Sequence, residues 1–247
     1  MMTKNQMKLI RSLELKKNRK REGLFVAEGP KVVGDLMRAG YMLRMLFSTV
    51  ARPDAELITE EELRKVSFLQ HPQEVIAVFE IPTPKLSTLN SKLSTLNSKL
   101  SLALDGVQDP GNLGTIIRIA DWFGISTIYC SLDTADAYNP KVVQATMGSL
   151  AHVQVFYTDL LELFNSLPPS YPIYGTLLDG ENIYEQELTT EGIIVMGNEG
   201  NGISPEVRQH INKRLLIPDF HTDGLRAESL NVAIATAITC SEFRRRQ

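Results

Sequence analysis

Hydrophobic positions in the first 80 residues alternate between two kinds of spacing. Apolar residues three or four positions apart indicate amphipathic helices, and short runs rich in Val, Leu, Ile and Phe indicate buried strands. In chain order, the pattern predicts a helix at 5–15, a strand at 24–27, a helix at 30–39, a strand at 43–47, a helix at 60–66 and a strand at 75–79. This order is typical of a small α/β module.

From residue 101 onward, the pattern becomes a regular succession of strands and helices. Strands separated by helical segments favour a mainly parallel sheet with helices on both faces, because parallel neighbours need a long crossover connection. The strands are predicted at 101–104, 127–130, 153–156, 173–176, 193–196 and 215–217, and a long helix is predicted from about residue 229. Both parts of the chain therefore belong to the α/β class.

A tandem duplication of seven residues separates the two parts. Lys85-Leu-Ser-Thr-Leu-Asn-Ser91 is followed by the same seven residues at 92–98. Its content of Ser, Asn and Lys is typical of a linker, and two heptads are too few for a coiled coil. We therefore predict a small domain at 1–82, a linker at 83–100 and a larger domain at 101–247.

Composition excludes several classes of protein. Of the 247 residues, 43% are hydrophobic and 22% are charged, as in globular proteins, and no apolar run is long enough to cross a bilayer. The start lacks the apolar core of a signal peptide, and Cys130 and Cys240 have no Cys-x-x-Cys spacing. The histidines are scattered without ligand spacing, so no metal site is expected. A reducing cytoplasm is the expected location.

Charge is distributed unevenly, although the net charge is only −3. Residues 1–44 contain 11 basic and 4 acidic residues, whereas the remainder contains 15 basic and 25 acidic residues. The densest cluster, Lys16-Lys-Asn-Arg-Lys-Arg21, can neutralise phosphates and attract a polyanion such as RNA. The same cluster is also compatible with a solvated helix end.

The first segment with candidate chemistry is Asp109-Pro-Gly-Asn-Leu-Gly-Thr-Ile-Ile-Arg118. Pro110-Gly111 is typical of a type II turn, and Asn112 is predicted to cap a helix that Gly124 ends. Arg118 lies off the apolar stripe of this helix, at the spacing for an ion pair with Asp121. The buried stripe is predicted as Leu113, Ile116, Ile117, Ala120 and Phe123.

Glycine is concentrated in Val195-Met-Gly-Asn-Glu-Gly-Asn-Gly-Ile-Ser204, directly after a predicted strand. The order Gly-x-x-Gly-x-Gly is not that of a dinucleotide fold, and no Gly-Lys-Ser/Thr phosphate loop occurs, which disfavours NAD and ATP. These glycines permit a tight turn or a close approach of the backbone to a ligand. Glu199 is not a typical turn residue, which favours a functional role for its carboxylate.

The third segment, Glu228-Ser-Leu-Asn-Val-Ala233, follows a strand that ends in Leu216-Ile-Pro218. Ser229 is a candidate helix cap, and apolar residues recur after it at helical spacing. The core face predicted for this helix consists of Leu230, Ala233, Ile234, Ala237 and Ile238.

These three segments, in this order at successive strand-to-helix junctions, resemble the signature of the SpoU/TrmH family of RNA ribose 2′-O-methyltransferases in the SPOUT superfamily. The resemblance implies that the C-terminal segment forms a deep trefoil knot, an exception to the rule that chains are unknotted. Residues 1–82 look like the L30e-like substrate-binding domain that often precedes this domain. One departure is the loop at 219–227, which is several residues longer than the usual version.

The resemblance also implies a reaction, namely transfer of a methyl group from S-adenosylmethionine to a ribose 2′-hydroxyl of structured ribosomal or transfer RNA, without a metal. A homodimer is implied as well, with Arg118 acting in its own subunit or in the other one. Catalytic roles are implied for Arg118, Asn112, Glu199, Ser229 and Asn231. Cofactor contacts are implied for Gly197, Glu199, Gly200, Ile217 and Leu230.

Chemistry limits the role of Arg118, because a guanidinium group stays protonated and has no hydrogen-bond acceptor. We therefore expect it to stabilise negative charge on the 2′-oxygen and to position phosphate, while the proton leaves through water or a neighbouring polar group. Three alternatives stay open: a non-catalytic RNA-binding protein with this fold, a relative that methylates a base, and, with less support, an α/β enzyme that acts on a small molecule.

Overall fold

The computed structural model describes residues 1–82, 99–220 and 229–245, which form two compact units. Unit 1 combines Met1–Thr83 with Asp136–His152, and unit 2 combines Pro84–Ala135 with Val153–Gln247. The limits of the domains and linker stay predictions. The two units share the chain in an interleaved order, because a segment of unit 1 lies between two parts of unit 2.

The predicted helices and strands occur in the predicted order, with three differences: α2 and β3 were not predicted, the helix predicted at 5–15 ends at Ser12, and β8 extends well beyond its predicted end. In the described residues they are α1 (Lys4–Ser12), α2 (Lys16–Glu22), β1 (Leu24–Glu28), α3 (Pro30–Arg38), β2 (Leu43–Ser48), β3 (Glu56–Leu57), α4 (Glu60–Val66), β4 (Val75–Glu80), β5 (Leu100–Leu104), α5 (Pro110–Trp122), β6 (Thr127–Cys130), α6 (Pro140–Ala145), β7 (Gln154–Tyr157), α7 (Leu160–Asn165), β8 (Ile173–Asn182), β9 (Gly192–Met196), α8 (Pro205–Arg208), β10 (Lys213–Leu216) and α9 (Val232–Arg245).

Unit 1 contains a sheet in the order β1-β4-β2-β3, in which β4 pairs antiparallel with β1 and β2, and β3 pairs parallel with β2. Capping boxes at Thr3 and Thr59 begin α1 and α4. The side chain of each threonine accepts the backbone N–H of the residue three positions later, and the side chain of that residue accepts the backbone N–H of the threonine. Glu62 also accepts the N–H of Met2 at 2.9 Å, which ties the two helices together. The core between helices and sheet includes Ile10, Leu13, Val26, Phe47, Val66 and Ile76.

A segment from the second half of the chain completes unit 1. It contains α6, which packs against β1. The side chain of Arg19 is 1% exposed and donates to Asp136 Oδ2 at 2.6 and 3.0 Å, and to the carbonyl oxygens of Leu13 and Glu14 at 2.7 Å each. These bonds offset the large cost of removing a guanidinium group from water. Nothing in the hydrophobic pattern indicates this contribution.

Unit 2 is built on a sheet in the order β10-β8-β9-β5-β6-β7, and every neighbouring pair of strands is parallel. The predicted parallel α/β fold is thus confirmed. β5 and β9 are buried at every position, as expected for strands covered on both faces. Because parallel strands all end at one edge, the loops that follow β9, β5 and β6 are neighbours.

The first helix of unit 2, α5, begins earlier than predicted. Its N-cap is Asp109, whose side chain accepts the N–H of Asn112 at 2.7 Å, and Pro110 occupies the first turn. The predicted type II turn with Asn112 as the cap is wrong, because proline suits the first helical position and aspartate is itself a strong cap. The side-chain amide of Asn112 is therefore available for bonds outside its own helix. Gly124, with a φ of +66°, ends the helix as predicted.

The last helix, α9, buries a different face from the predicted one. Leu230, which precedes it, and Ile234 are 51% and 52% exposed, whereas Thr236 and Thr239 are fully buried. The hydroxyl groups of the two threonines donate to backbone carbonyl oxygens one turn earlier, at 2.7 and 2.9 Å. Because these bonds satisfy the hydroxyls, threonine can occupy a buried face that the apolar pattern alone would not assign.

Several predictions concern residues beyond the described ranges. The seven-residue duplication lies in 83–98, and most of the lengthened loop lies in 221–228. The trefoil knot stays a prediction. In the part of the chain that is described, no helix is both long enough and apolar enough to cross a membrane.

Candidate active site

Polar side chains from three places in unit 2 meet at the carboxyl edge of its sheet. Loop A, defined as residues 105–109, follows β5 and leads into α5. Loop B, defined as residues 197–204, follows β9 and contains the concentrated glycines. The third place is the start of α9. The carboxyl edge of a parallel sheet is where such folds commonly bind ligands.

Glu199 joins loop B to loop A. Its carboxylate accepts the side-chain amide of Asn112 at 3.0 Å and the backbone N–H groups of Asp109 and Gln108 at 3.3 and 3.4 Å. The two backbone bonds are long, so the amide of Asn112 gives the best-formed contact. A carboxylate suits this position because it offers acceptor sites only, and all three partners are donors.

Asn231 joins the start of α9 to the same network. Its Nδ2 donates to Oδ1 of Asn112 at 3.0 Å, and its Oδ1 accepts the N–H groups of Ala233 and Ile234. Asn231 therefore caps α9, and the alternative of Ser229 as the cap is wrong. Three of the residues implied by the resemblance, Asn112, Glu199 and Asn231, form one hydrogen-bonded chain.

Arg118 lies on α5 outside this network. It is exposed, and it makes no hydrogen bond or ion pair with any other residue of the described ranges, so the pair with Asp121 is not formed. At 3.6 residues per turn, six residues place Arg118 about 120° around the helix from Asn112 and about 9 Å along it. The guanidinium group is thus a free cation on a different face of α5.

That face of α5 is exposed along its length. Gly111, Thr115, Arg118 and Trp122 are all exposed and follow one another at spacings of four, three and four residues, which places them on one stripe. Trp122 is 85% exposed. The exposed stripe of α5 thus carries a large aromatic side chain one turn from the unpaired Arg118.

The glycines of loop B have two different functions. A Cβ on Gly197 would lie 2.2 Å from the carbonyl carbon of Gly202 and 2.3 Å from the nitrogen of Ile203, so only glycine lets the loop close on itself. Gly202 has a φ of +69° and open space where a side chain would stand. Near Gly200, a side chain would meet only Asn198 Oδ1, at 3.6 Å. The outer part of the loop therefore has no side chain at Gly200 or Gly202, while the N–H of Gly200 and both backbone groups of Gly202 bond to Asn198.

The remaining implied residues lie near the other strand and helix ends. Ile217 directly follows β10 and is partly buried, and Leu230 precedes Asn231 and is 51% exposed. Ser229 is exposed and forms no hydrogen bond with a residue that the structure describes. These positions offer backbone groups, two aliphatic side chains and one hydroxyl group, and no charge.

Sequence reasoning missed two residues at this edge, Asn198 and Gly106. Asn198 Nδ2 donates to the carbonyl oxygen of Gly106 at 2.7 Å, and Gly106 has a φ of +70°. The asparagine within a glycine-rich stretch was an available signal, because asparagine readily bonds backbone groups near it in turns.

Thiol and metal chemistry find little support at this edge. Cys130 ends β6 and Cys240 lies in α9; both are buried, and burial raises the pKa of both thiols, that of Cys240 to about 12. Buried, protonated thiols are poor nucleophiles. Within the described ranges, no group of three or more His, Cys, Asp and Glu side chains is arranged to hold a metal ion.

Two family models match the chain. Residues 99–241 match the SpoU rRNA Methylase family, and residues 4–77 match a substrate-binding domain of the MRM3 type. A curated relative from Bacillus subtilis, the 23S rRNA (guanosine(2553)-2′-O)-methyltransferase RlmP, is 31% identical over 95% of this chain and 94% of its own. The mouse mitochondrial rRNA methyltransferase 3 is 27% identical over 92% of this chain and 68% of its own.

Solved structures with the same fold cover the whole chain. A protein from Porphyromonas gingivalis assigned to the TrmH family of RNA methyltransferases is 44% identical, with full coverage of both chains and a TM-score of 0.83. An AdoMet-bound rRNA methyltransferase from Sinorhizobium meliloti is 31% identical over the whole of this chain and 96% of that chain, with a TM-score of 0.85.

Proposed function

The chain belongs to the SpoU rRNA methylase family, and from that premise we propose that it transfers a methyl group from S-adenosylmethionine to a ribose 2′-hydroxyl of ribosomal RNA. The observation that carries the proposal is the Glu199–Asn112–Asn231 chain, which joins loop B, the first turn of α5 and the start of α9 at the carboxyl edge of a parallel sheet. The RlmP and S. meliloti relatives support it.

The residues at this edge fit S-adenosylmethionine. A nucleoside needs backbone hydrogen-bonding groups and apolar contact more than charge. The carbonyl oxygen of Gly200 is available for the first, because the N–H of Gly200 and both backbone groups of Gly202 already bond to Asn198. Ile217 and Leu230 supply the second. Gly197 keeps the loop compact behind them. When bound, the cofactor supplies the sulfonium methyl group, and no protein nucleophile is needed.

The protein must hold the acceptor ribose and stabilise its oxygen as negative charge develops there. Arg118 is the available cation for that task. Because a guanidinium group has no acceptor site, the proton of the hydroxyl leaves to water or a nearby polar group. Glu199, Asn112 and Asn231 position the loops, and Ser229, exposed at the entrance to α9, is available to the ribose or its proton.

A homodimer would bring Arg118 to the site. In its own subunit, Arg118 lies on a different face of α5 from Asn112, together with the exposed Trp122. α5 packs against α9, where Leu230 and Ile234 add exposed apolar surface. We therefore propose that a second copy covers these helices and contributes its Arg118 to the partner's site.

Changing Ile234 to Asp should raise the dissociation constant of the dimer by about tenfold or more, because a charge would enter an apolar contact. Light scattering over a concentration series measures the change. Leu178→Asp is the control, since Leu178 is 78% exposed on β8. An unchanged oligomeric state in the Ile234 variant would contradict this interface.

Unit 1 would supply RNA affinity. Lys16, Lys17 and Lys20 on α2 are exposed and form no ion pair within the described part of the chain. Such free ammonium groups release counterions from phosphates, so RNA binding should weaken steeply with salt.

The cytoplasm, where ribosomal RNA of a bacterial cell is found, is the proposed location.

Replacing Glu199 with Gln should lower the rate of methyl transfer about tenfold, because an NH₂ group would face at least one of three N–H donors. Single-turnover transfer to ribosomal RNA measures this effect. Glu206→Gln is the matched control, since Glu206 is an exposed carboxylate on the nearby α8. Equal rates of methyl transfer in Glu199→Gln and Glu206→Gln would show that Glu199 has no role in the reaction.

The proposed function is tested by mapping 2′-O-methylation across all cellular RNA in a strain that lacks the gene and in its parent. We expect one ribosomal position to lose its methyl group and to regain it when purified protein and S-adenosylmethionine are added to the unmodified RNA. Loss of a methyl group at a transfer RNA position would instead identify transfer RNA as the substrate. A methylated base would change the reaction, and RNA binding without methylation would revive the non-catalytic alternative.

A further inference from the structure

Asn198 connects loop B to loop A at a point separate from Glu199. Its Nδ2 donates to the carbonyl oxygen of Gly106 at 2.7 Å. Its Oδ1 accepts the N–H groups of Gly200 and Asn201 at 2.9 and 3.0 Å, and its backbone pairs with Gly202 in both directions. One partly buried side chain thus folds loop B and fastens it to loop A.

Gly106 is held from its other side as well. Its N–H donates to Ser131 Oγ at 2.8 Å, and a side chain at this glycine would stand 3.1 Å from Asp133 Oδ2 and 3.7 Å from Asn198 Cβ. With a φ of +70°, the residue has little tolerance for replacement. The carbonyl oxygen of Gly106, to which Asn198 donates, therefore has a fixed position at the edge of the sheet.

We infer that Asn198 is a positioning residue for methyl transfer, which rests on the proposed function. Asn198 and Glu199 are consecutive, and they bind loop A two residues apart, at Gly106 and at Gln108. The short bond to Gly106 sets the separation of the loops, and the longer bonds of Glu199 follow from it. Without that bond, the carboxylate loses its alignment with Asn112, and with it the chain to Asn231.

Asparagine suits this position for a chemical reason. The side chain must donate in one direction and accept two N–H groups in the other, which a neutral amide does and a carboxylate does not. Aspartate keeps the acceptor for Gly200 and Asn201 but turns an oxygen towards the carbonyl of Gly106. Alanine removes both functions. Comparing the two substitutions therefore separates the bond between loop B and loop A from the bonds that fold loop B itself.

The test compares Asn198→Asp, Asn198→Ala and Asn201→Asp in the full-length protein. Asn201 lies in the same loop, and its side chain forms no hydrogen bond within the described ranges, so its aspartate variant reports the effect of the added charge alone. The measurements are single-turnover methyl transfer to ribosomal RNA, S-adenosylmethionine affinity by calorimetry, and hydrogen exchange of the peptide that contains Gln108 and Asp109.

For Asn198→Asp, we expect the transfer rate to fall about tenfold relative to Asn201→Asp, while S-adenosylmethionine affinity changes less than about threefold. Hydrogen exchange at Gln108 and Asp109 should become faster. Asn198→Ala should lose affinity as well as rate, because loop B then lacks its internal acceptor.

Equal rates in Asn198→Asp and Asn201→Asp would overturn the inference, as would a loss of affinity in Asn198→Asp that matches its loss of rate. Unchanged hydrogen exchange at Gln108 and Asp109 would overturn it too, because the loops would then be held by other contacts. If the wild-type protein transfers no methyl group to ribosomal RNA, the proposed function fails, and the exchange measurement still decides whether Asn198 fastens the two loops.

Discussion

Replacing Arg118 with alanine should lower the rate of methyl transfer by about 100- to 1,000-fold, the usual effect of removing one group that stabilises a developing oxyanion. The reason is that Arg118 is an exposed cation without a partner among the described residues, so it is available to a substrate oxygen. The affinity for S-adenosylmethionine should hardly change, because the proposed cofactor contacts come from loop B, Ile217 and Leu230. Single-turnover kinetics and calorimetry measure the two quantities.

Arg208→Ala is the control, since Arg208 is a partly exposed arginine of unit 2 that pairs with Asp179. A transfer rate in Arg118→Ala equal to that of the control would exclude the proposed role. Arg118→Lys should recover only part of the rate, because an ammonium group lacks the planar fork of donors.

Mixing two impaired variants tells which subunit supplies Arg118. If Arg118 acts in the partner's site, a heterodimer of Arg118→Ala and Glu199→Gln subunits has one site with both changes and one intact site. Activity should then rise on mixing. If Arg118 acts in its own subunit, each site keeps one defect and mixing restores nothing.

Changing Asp136 to Ala should destabilise unit 1 by about 3 kcal/mol or more, because it leaves a buried guanidinium group without its counter-charge. Asp54→Ala is the control, since Asp54 pairs with Arg52 at the exposed surface of the same unit and should change stability little. Urea denaturation followed by circular dichroism measures the decrease in the free energy of unfolding. Hydrogen exchange locates it, with β1 and β4 losing protection and β5 and β9 keeping theirs.

The double variant Arg19→Met, Asp136→Leu tests the same explanation from the other direction. An apolar pair of similar volume often replaces a buried ion pair without loss of stability. We expect it to recover most of what Asp136→Ala loses. If Asp136→Ala is as stable as the wild type, the pair does not hold the segment in place.

The strands of unit 2 were predictable because a parallel sheet buries both faces, and continuous runs such as the one at 193–196 have few other interpretations. The two-residue β3 of unit 1 was not predicted, because both of its residues are exposed. The starts of helices were less predictable. At Asp109-Pro110-Gly111-Asn112, two caps compete, and proline at the first helical position decides for Asp109. The face of α9 was mispredicted because threonine hydroxyls bond to their own helix, which no apolar pattern records.

The candidate site also has a part that could be predicted from the sequence and a part that could not. Its residue types could be predicted from three local segments, but the bonds that join Glu199 to Asn112 and Asn112 to Asn231 connect positions 87 and 119 residues apart. Such pairings depend on the order of strands in the sheet, which the periodicity of one segment does not contain. Gly106 was missed for this reason, since its importance comes entirely from Asn198 and Ser131.

Arg19 and its counter-charge Asp136 are separated by 117 residues. A ribosome synthesises the chain from its N-terminus at about 5–20 residues per second, so Arg19 is made roughly 6–23 s before Asp136. Until then, the first 83 residues cannot reach their final packing, although they contain every strand of their own sheet. Grafting this module onto another enzyme as one continuous stretch would therefore transfer an incomplete fold, and a working chimera would need residues 136–152 as well.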